Sequence, residues 1–210
     1  MVSLVAAALA RAQAFLLEPA PASARTRRSP PEAAEGAFAD LQVAVIGLTP
    51  ECGSSTVARG LAVALGVPGC RSAQLISVTA DGTRDENGRL AGKVFAGGSG
   101  PVATVWDIAA SEVERASQVA VESDAVFLVA GDHSAPALAQ LVSGMLSERF
   151  GRVLLVATRV ADRARWSGRA IACVPDSRLG AALLARGRRP VGELAGVLTE
   201  LAAIADEAAR

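Results

Sequence analysis

The sequence predicts an α/β protein built on a doubly wound, mostly parallel sheet, and three observations carry that expectation. From residue 41 onward, apolar runs of strand length alternate with amphipathic stretches of helical length, the pattern of repeated strand and helix units. The apolar runs are near-continuous, as in Ala125-Val126-Phe127-Leu128-Val129-Ala130, which marks strands covered on both faces. The first run, Val43-Ala44-Val45-Ile46-Gly47, leads directly into a loop rich in Gly, Ser and Thr and then into a helical pattern.

Composition bounds the function. A chain of 210 residues that is 51% hydrophobic can bury one full core. A formal net charge of +0 supplies no overall field toward nucleic acid, which is therefore not an expected partner. Cys52, Cys70 and Cys173 lie far apart with no C-x-x-C pair, which argues against a zinc site or a disulfide framework. A reducing cytoplasm is the expected location.

The elements follow in chain order. Residues 1–18 are expected to form an amphipathic helix, because Val2, Val5, Leu9, Ala12 and Leu16 fall on one helical face. No basic residue precedes its apolar run, and Arg11 interrupts it, unlike a secretory signal; the run is also too short to span a bilayer. Two covers for its stripe stay open: the domain or a twin subunit, or a membrane surface or partner protein. Residues 19–40, rich in Pro, Ala, Ser and Arg, read as a flexible linker, and residues 41–210 as the α/β domain. Strands are expected at 42–47, 74–78, 103–107, 125–130, 153–158 and 170–174, with helices at 55–65, 111–122, 136–150, 179–186 and 191–209. Val94 and Phe95 suggest an added hairpin strand. Asp81 to Gly100, rich in Gly and charge, reads as a mobile segment near the site.

The stretch Leu48-Thr49-Pro50-Glu51-Cys52-Gly53-Ser54-Ser55-Thr56 has the layout of a phosphate-binding P-loop. Such a loop cradles phosphate on backbone N–H groups, reaches the outer phosphates with a lysine and holds Mg²⁺ with the next hydroxyl. Gly53-Ser54-Ser55 stands where Gly-Lys-Ser/Thr would, and the one lysine of the chain, Lys93, is remote in sequence. The loop and the following Val57-Ala58-Arg59-Gly60-Leu61-Ala62 resemble the deviant Walker A box of the MinD/ParA family, with Thr49 and Ser54 in place of its two lysines. Val105-Trp106-Asp107 resembles that family's switch II strand end. Ala172-Cys173-Val174-Pro175-Asp176 resembles its "IP-x-D" strand end, and Arg178 to Val191 the helix and turn that follow. The resemblance spans about residues 41 to 206 and implies a P-loop NTPase-like fold.

What the resemblance implies for the site is ATP or ADP with Mg²⁺. Gly53, Ser54, Ser55, Thr56 and Pro175 would bind the nucleotide, Ser55 and Asp107 would hold the metal, and Asp107 is the catalytic candidate. The residues themselves give a reduced version of that site. The first turn of the expected helix favours an anion through its N–H groups and dipole, yet Glu51 sets a carboxylate beside the phosphate path. Ser54 is equally readable as a plain helix cap. Leu75-Ile76-Ser77-Val78-Thr79 lacks the family's strand-end aspartate, its nearest carboxylate being Asp81, and Thr158 stands where the family carries an adenine-reading asparagine. Asp107 is also readable as a turn residue.

Other polar features carry less. His133, in Gly131-Asp132-His133-Ser134, reads as a loop residue, and no G-x-S-x-G elbow supports a triad there. Arg186-Gly187-Arg188-Arg189 reads as a solvated helix end, with acidic lipid or DNA as the alternative. Trp166 reads as an exposed anchor for a partner. Two functions compete: a regulatory or positioning protein with a degenerate nucleotide site, acting by dimerisation and partner binding in the cytoplasm or at the membrane periphery, and a working Mg-ATP-dependent ATPase that draws a cation such as Lys93 or an arginine from an opposing subunit.

Overall fold

The computed structural model describes residues 40–66, 71–79, 82–85 and 101–210. The expected N-terminal helix, the linker, Lys93, Cys70, the Val94-Phe95 strand and most of the 81–100 segment lie outside the described residues.

Seven strands form one sheet in the order β3-β2-β4-β1-β5-β6-β7. Their bounds are β1 Leu41–Gly47, β2 Ser72–Thr79, β3 Gly82–Asp85, β4 Val102–Ile108, β5 Ala125–Gly131, β6 Val153–Thr158 and β7 Ala172–Val174. All neighbours pair in parallel except β3, which returns antiparallel along β2. The strand β1, aliphatic without interruption from Val43 to Ile46, is central and lies between β4 and β5, as a two-face-buried strand must. Successive β1 residues feed opposite cores: Val43 and Val45 face one cluster, Ala44 and Ile46 the other, the period-two consequence of the pleat.

Helices α1 Ser54–Leu65, α4 Arg178–Leu184 and α5 Glu193–Ala208 bury Leu61, Leu184 and Leu198 in the first cluster. Helices α2 Val113–Glu122 and α3 Pro136–Phe150 bury Ala116, Val142 and Leu146 in the second. Crossing of α1 with α5 depends on Gly60, where an added Cβ would stand 2.4 Å from a Leu198 methyl. At the opposite end of the sheet from the loop, buried Arg71 is tied to Asp206 at 2.5 and 3.0 Å and donates to the Leu65 carbonyl at 3.1 Å.

Gly82–Asp85 of the 81–100 segment forms an edge strand paired with β2, an element the sequence did not lead one to expect. Two expectations are corrected. Trp166 is 0% exposed. It ends a 3₁₀ turn, Arg163–Trp166, whose start is fixed by the Asp162 carboxylate accepting from the Ala164 N–H; the turn directs the indole into the second cluster and leaves Arg163 and Arg165 in solvent. Finally, α1 is capped by Gly53 with no side-chain cap bond, so Ser54 is the first helical residue and not the cap.

Candidate functional site

The six residues Leu48 to Gly53 connect the carboxyl end of the central strand to α1, where open α/β sheets place their ligands. The loop is held from both ends. Leu48 N–H donates to the Val129 carbonyl at 2.8 Å, and Cys52 N–H donates to the Thr49 carbonyl at 3.3 Å, closing a tight turn. Glu51 and Gly53 take left-handed backbone, φ 58° and 89°, which Gly accepts freely and Glu does not. The Gly53 carbonyl then accepts from Thr56 and Val57 N–H. The N–H groups of Ser54 and Ser55 are first-turn donors without an intrahelical acceptor.

The loop packs down onto the neighbouring strand ends. Cys52 is buried, and a Cβ at Gly131 would come within 3.3 Å of its Cα. The Thr158 hydroxyl, at the end of β6, bonds the Cys52 carbonyl and lies 3.3 Å from the Ala130 carbonyl. The position expected to face an adenine edge therefore faces the loop. A Cβ at Gly53 would stand 3.2 Å from that same hydroxyl, a tight contact that Thr158 would have to relieve and that adds to the cost of the positive φ. Next to it, Arg159 takes φ 54°, its N–H donates to the Val174 carbonyl at 3.0 Å, and its guanidinium donates to the Glu51 carbonyl at 3.3 Å.

Two cavities flank the loop. The smaller, about 110 Å³, is bounded by Gly53 and Thr56 on α1, Thr158 and Arg159 after β6, and Pro175, Asp176 and Arg178 at the start of α4. The larger, about 220 Å³, is bounded by Thr49, Glu51 and Cys52 of the loop, Asp132 and His133 after β5, and again Arg159 and Asp176. The structure thus brings Gly53, Thr56 and Pro175 together in the smaller cavity, and Ser54 and Ser55 lie beside it on α1. Asp107 sits within β4, one residue before its end, 7% exposed and in register between Val45 and Ser77; it lines neither cavity. Ser77, paired beside it, is likewise buried, so no carboxylate replaces the missing aspartate of β2 at that register position.

For a Mg-nucleotide the donor set fits in part. The hydroxyl of Ser55 and the carboxylate of Asp107 are of the right type for Mg²⁺, but the cradle offers no lysine, and its preformed volume is below the roughly 300–1,000 Å³ typical of small-molecule sites. No group of three or more His, Cys, Asp or Glu able to hold a metal occurs among the described residues. His133 is exposed, and the Ser134 hydroxyl is buried with no hydrogen-bond partner, so they form no triad. Burial pushes the Cys173 thiol above its ordinary range despite the opposing charge of Arg163. In the basic cluster, Arg189 donates to the Gly66 carbonyl at 3.3 Å and satisfies an orphan carbonyl at the end of α1.

Sequence reasoning missed Arg159 and Arg178 as cavity residues. Arg159 had one legible signal, its place immediately after a strand's carboxyl end; Arg178 had none beyond its neighbourhood to Pro175.

No protein-family model matches the chain, and no curated protein matches it. Solved structures do. A ParA family ATPase from Chlorobium tepidum TLS superposes with a TM-score of 0.53 at 12% identity, covering 79% of this chain and 98% of its own. The MinD-containing MinC:MinD cell division complex of Aquifex aeolicus superposes at 0.51 and 16% identity, covering 78% and 94%. The chain has the P-loop NTPase-like α/β fold shared by these proteins.

Proposed function

We propose that the chain is a MinD/ParA-like regulatory or positioning protein with a degenerate nucleotide site, acting by dimerisation and partner binding. The observation that supports this best is the use of the loop's surroundings for internal bonding. Thr158 bonds the Cys52 carbonyl and Arg159 the Glu51 carbonyl, while Thr49 and Ser54 bring no charge. Phosphoryl transfer is accelerated almost entirely by positioned positive charge and metal, and this loop supplies neither from its own side chains. The MinD neighbour is found with a protein partner, MinC, which favours a partner-bound role here also. The expected cytoplasmic or membrane-peripheral location belongs to the same proposal.

Purified protein should turn over Mg·ATP no faster than Asp107→Ala. Turnover at the level of an ordinary ATPase, lost in that variant, would establish the competing enzyme reading. Light scattering and liposome flotation of the full chain against a chain beginning at Gly36 test the assembly half. A monomeric mass and no lipid binding for both would remove the N-terminal segment as a contact.

A further inference from the structure

We propose that the smaller cavity binds a small phosphate-type anion, and that Arg159 and Arg178 supply the positive charge the loop lacks. The inference rests on the reading of the loop as unfit for triphosphate transfer and names what the site takes instead. Size sets the class. A cavity of about 110 Å³ is below the roughly 300–1,000 Å³ of sites that enclose drug-sized ligands, which favours a small anion over a whole nucleoside triphosphate.

Charge sets the sign. Arg159 and Arg178 line this cavity against the single carboxylate of Asp176, whereas Glu51, Asp132 and Asp176 line the larger one against Arg159 alone. Arg159 is the available group. A guanidinium carries five N–H donors in a fork that matches phosphate, and the one acceptor it meets is a neutral carbonyl at 3.3 Å. Among the described residues no carboxylate forms an ion pair with it, although three share its cavity wall. Its backbone is fixed by the bond to Val174, so the side chain starts from an anchored base at the cavity rim.

Calorimetric titration of the purified full chain with inorganic phosphate, pyrophosphate and Mg·ATP at low ionic strength tests this, with thermal unfolding run on every variant. Pyrophosphate should bind, and added salt should weaken it. Arg159→Asn, whose side chain tolerates left-handed backbone, and Arg178→Gln should each weaken binding by about tenfold or more. Arg159→Lys should retain most of it, and Arg152→Gln, exposed and remote from both cavities, should change nothing. The assignment is overturned if neither phosphate nor pyrophosphate binds, if Arg159→Lys binds no better than Arg159→Asn, if Arg152→Gln weakens binding equally, or if Mg·ATP binds more tightly than pyrophosphate. Absence of anion binding leaves the partner-binding role standing; sustained ATP turnover would end that role whatever the arginine variants do.

Discussion

The two cavities share Arg159 and Asp176 and are separated by the loop, yet one is lined by two arginines and one carboxylate and the other by three carboxylates and one arginine. Glu51, Arg159, Asp176 and Arg178 are exposed, so each biases the site only modestly and in a salt-dependent way, and the sign of the lining sets which ions each cavity favours. The difference teaches that this loop acts as a partition. Its wall is Cys52 and Gly53, and the wall stays in place because Thr158 bonds one carbonyl of it and meets Gly53 at close range.

Breaking the partition should have the largest effect. Gly53→Ala forces a Cβ onto φ 89° and within 3.2 Å of the Thr158 hydroxyl, so a loss of about 3 kcal/mol is expected, from the backbone strain together with the contact. Thermal unfolding reads it as a fall of about 6–12 °C for a domain of this size. An unchanged midpoint would mean that the loop moves away freely and is no wall.

Removing only the tie should do less. Thr158→Val keeps the shape and leaves the buried Cys52 carbonyl without its donor, an expected loss of about 1–3 kcal/mol. Thr158→Ser keeps the hydroxyl and should recover most of that in denaturant titration. Equal losses for Val and Ser would show that the methyl packing, and not the hydrogen bond, holds the loop.

How much of this was legible in the sequence depends on how local the cause is. The central strand and β6 were readable because Val43 to Ile46 and Val153 to Val156 are aliphatic without interruption, and burial on two faces needs nothing else. The short edge strand Gly82-Thr83-Arg84-Asp85 has no apolar pattern; it exists because β2 offers it a ladder, a tertiary cause that propensity does not register. Trp166 was misplaced because its neighbours Arg163 and Arg165 read as surface, while the 3₁₀ turn that separates their directions from the indole depends on the Asp162 cap. Gly53 was legible as a turn residue. The inward direction of Thr158 was not, since its acceptor at Cys52 lies 106 residues away in sequence.

The smallest expected effect separates strain from charge at Glu51, which sits at φ 58° and lines the acidic cavity. Left-handed backbone costs a residue with a Cβ about 1–2 kcal/mol, and glycine gives back about 0.5–1 kcal/mol through its larger unfolded-state entropy. Glu51→Gly should therefore stabilise by at most about 1 kcal/mol, a rise of about 2–4 °C in the unfolding midpoint. Glu51→Gln keeps the strained backbone and removes the carboxylate, so its midpoint should stay near that of the parent. Because both variants remove one of the three carboxylates, both should lessen the charge difference between the cavities, which weak anion binding at low salt would register equally in each. If Glu51→Gly destabilises instead, the left-handed turn is held by the Glu51 side chain itself, and the partition is then stabilised from the acidic side as well as by Thr158.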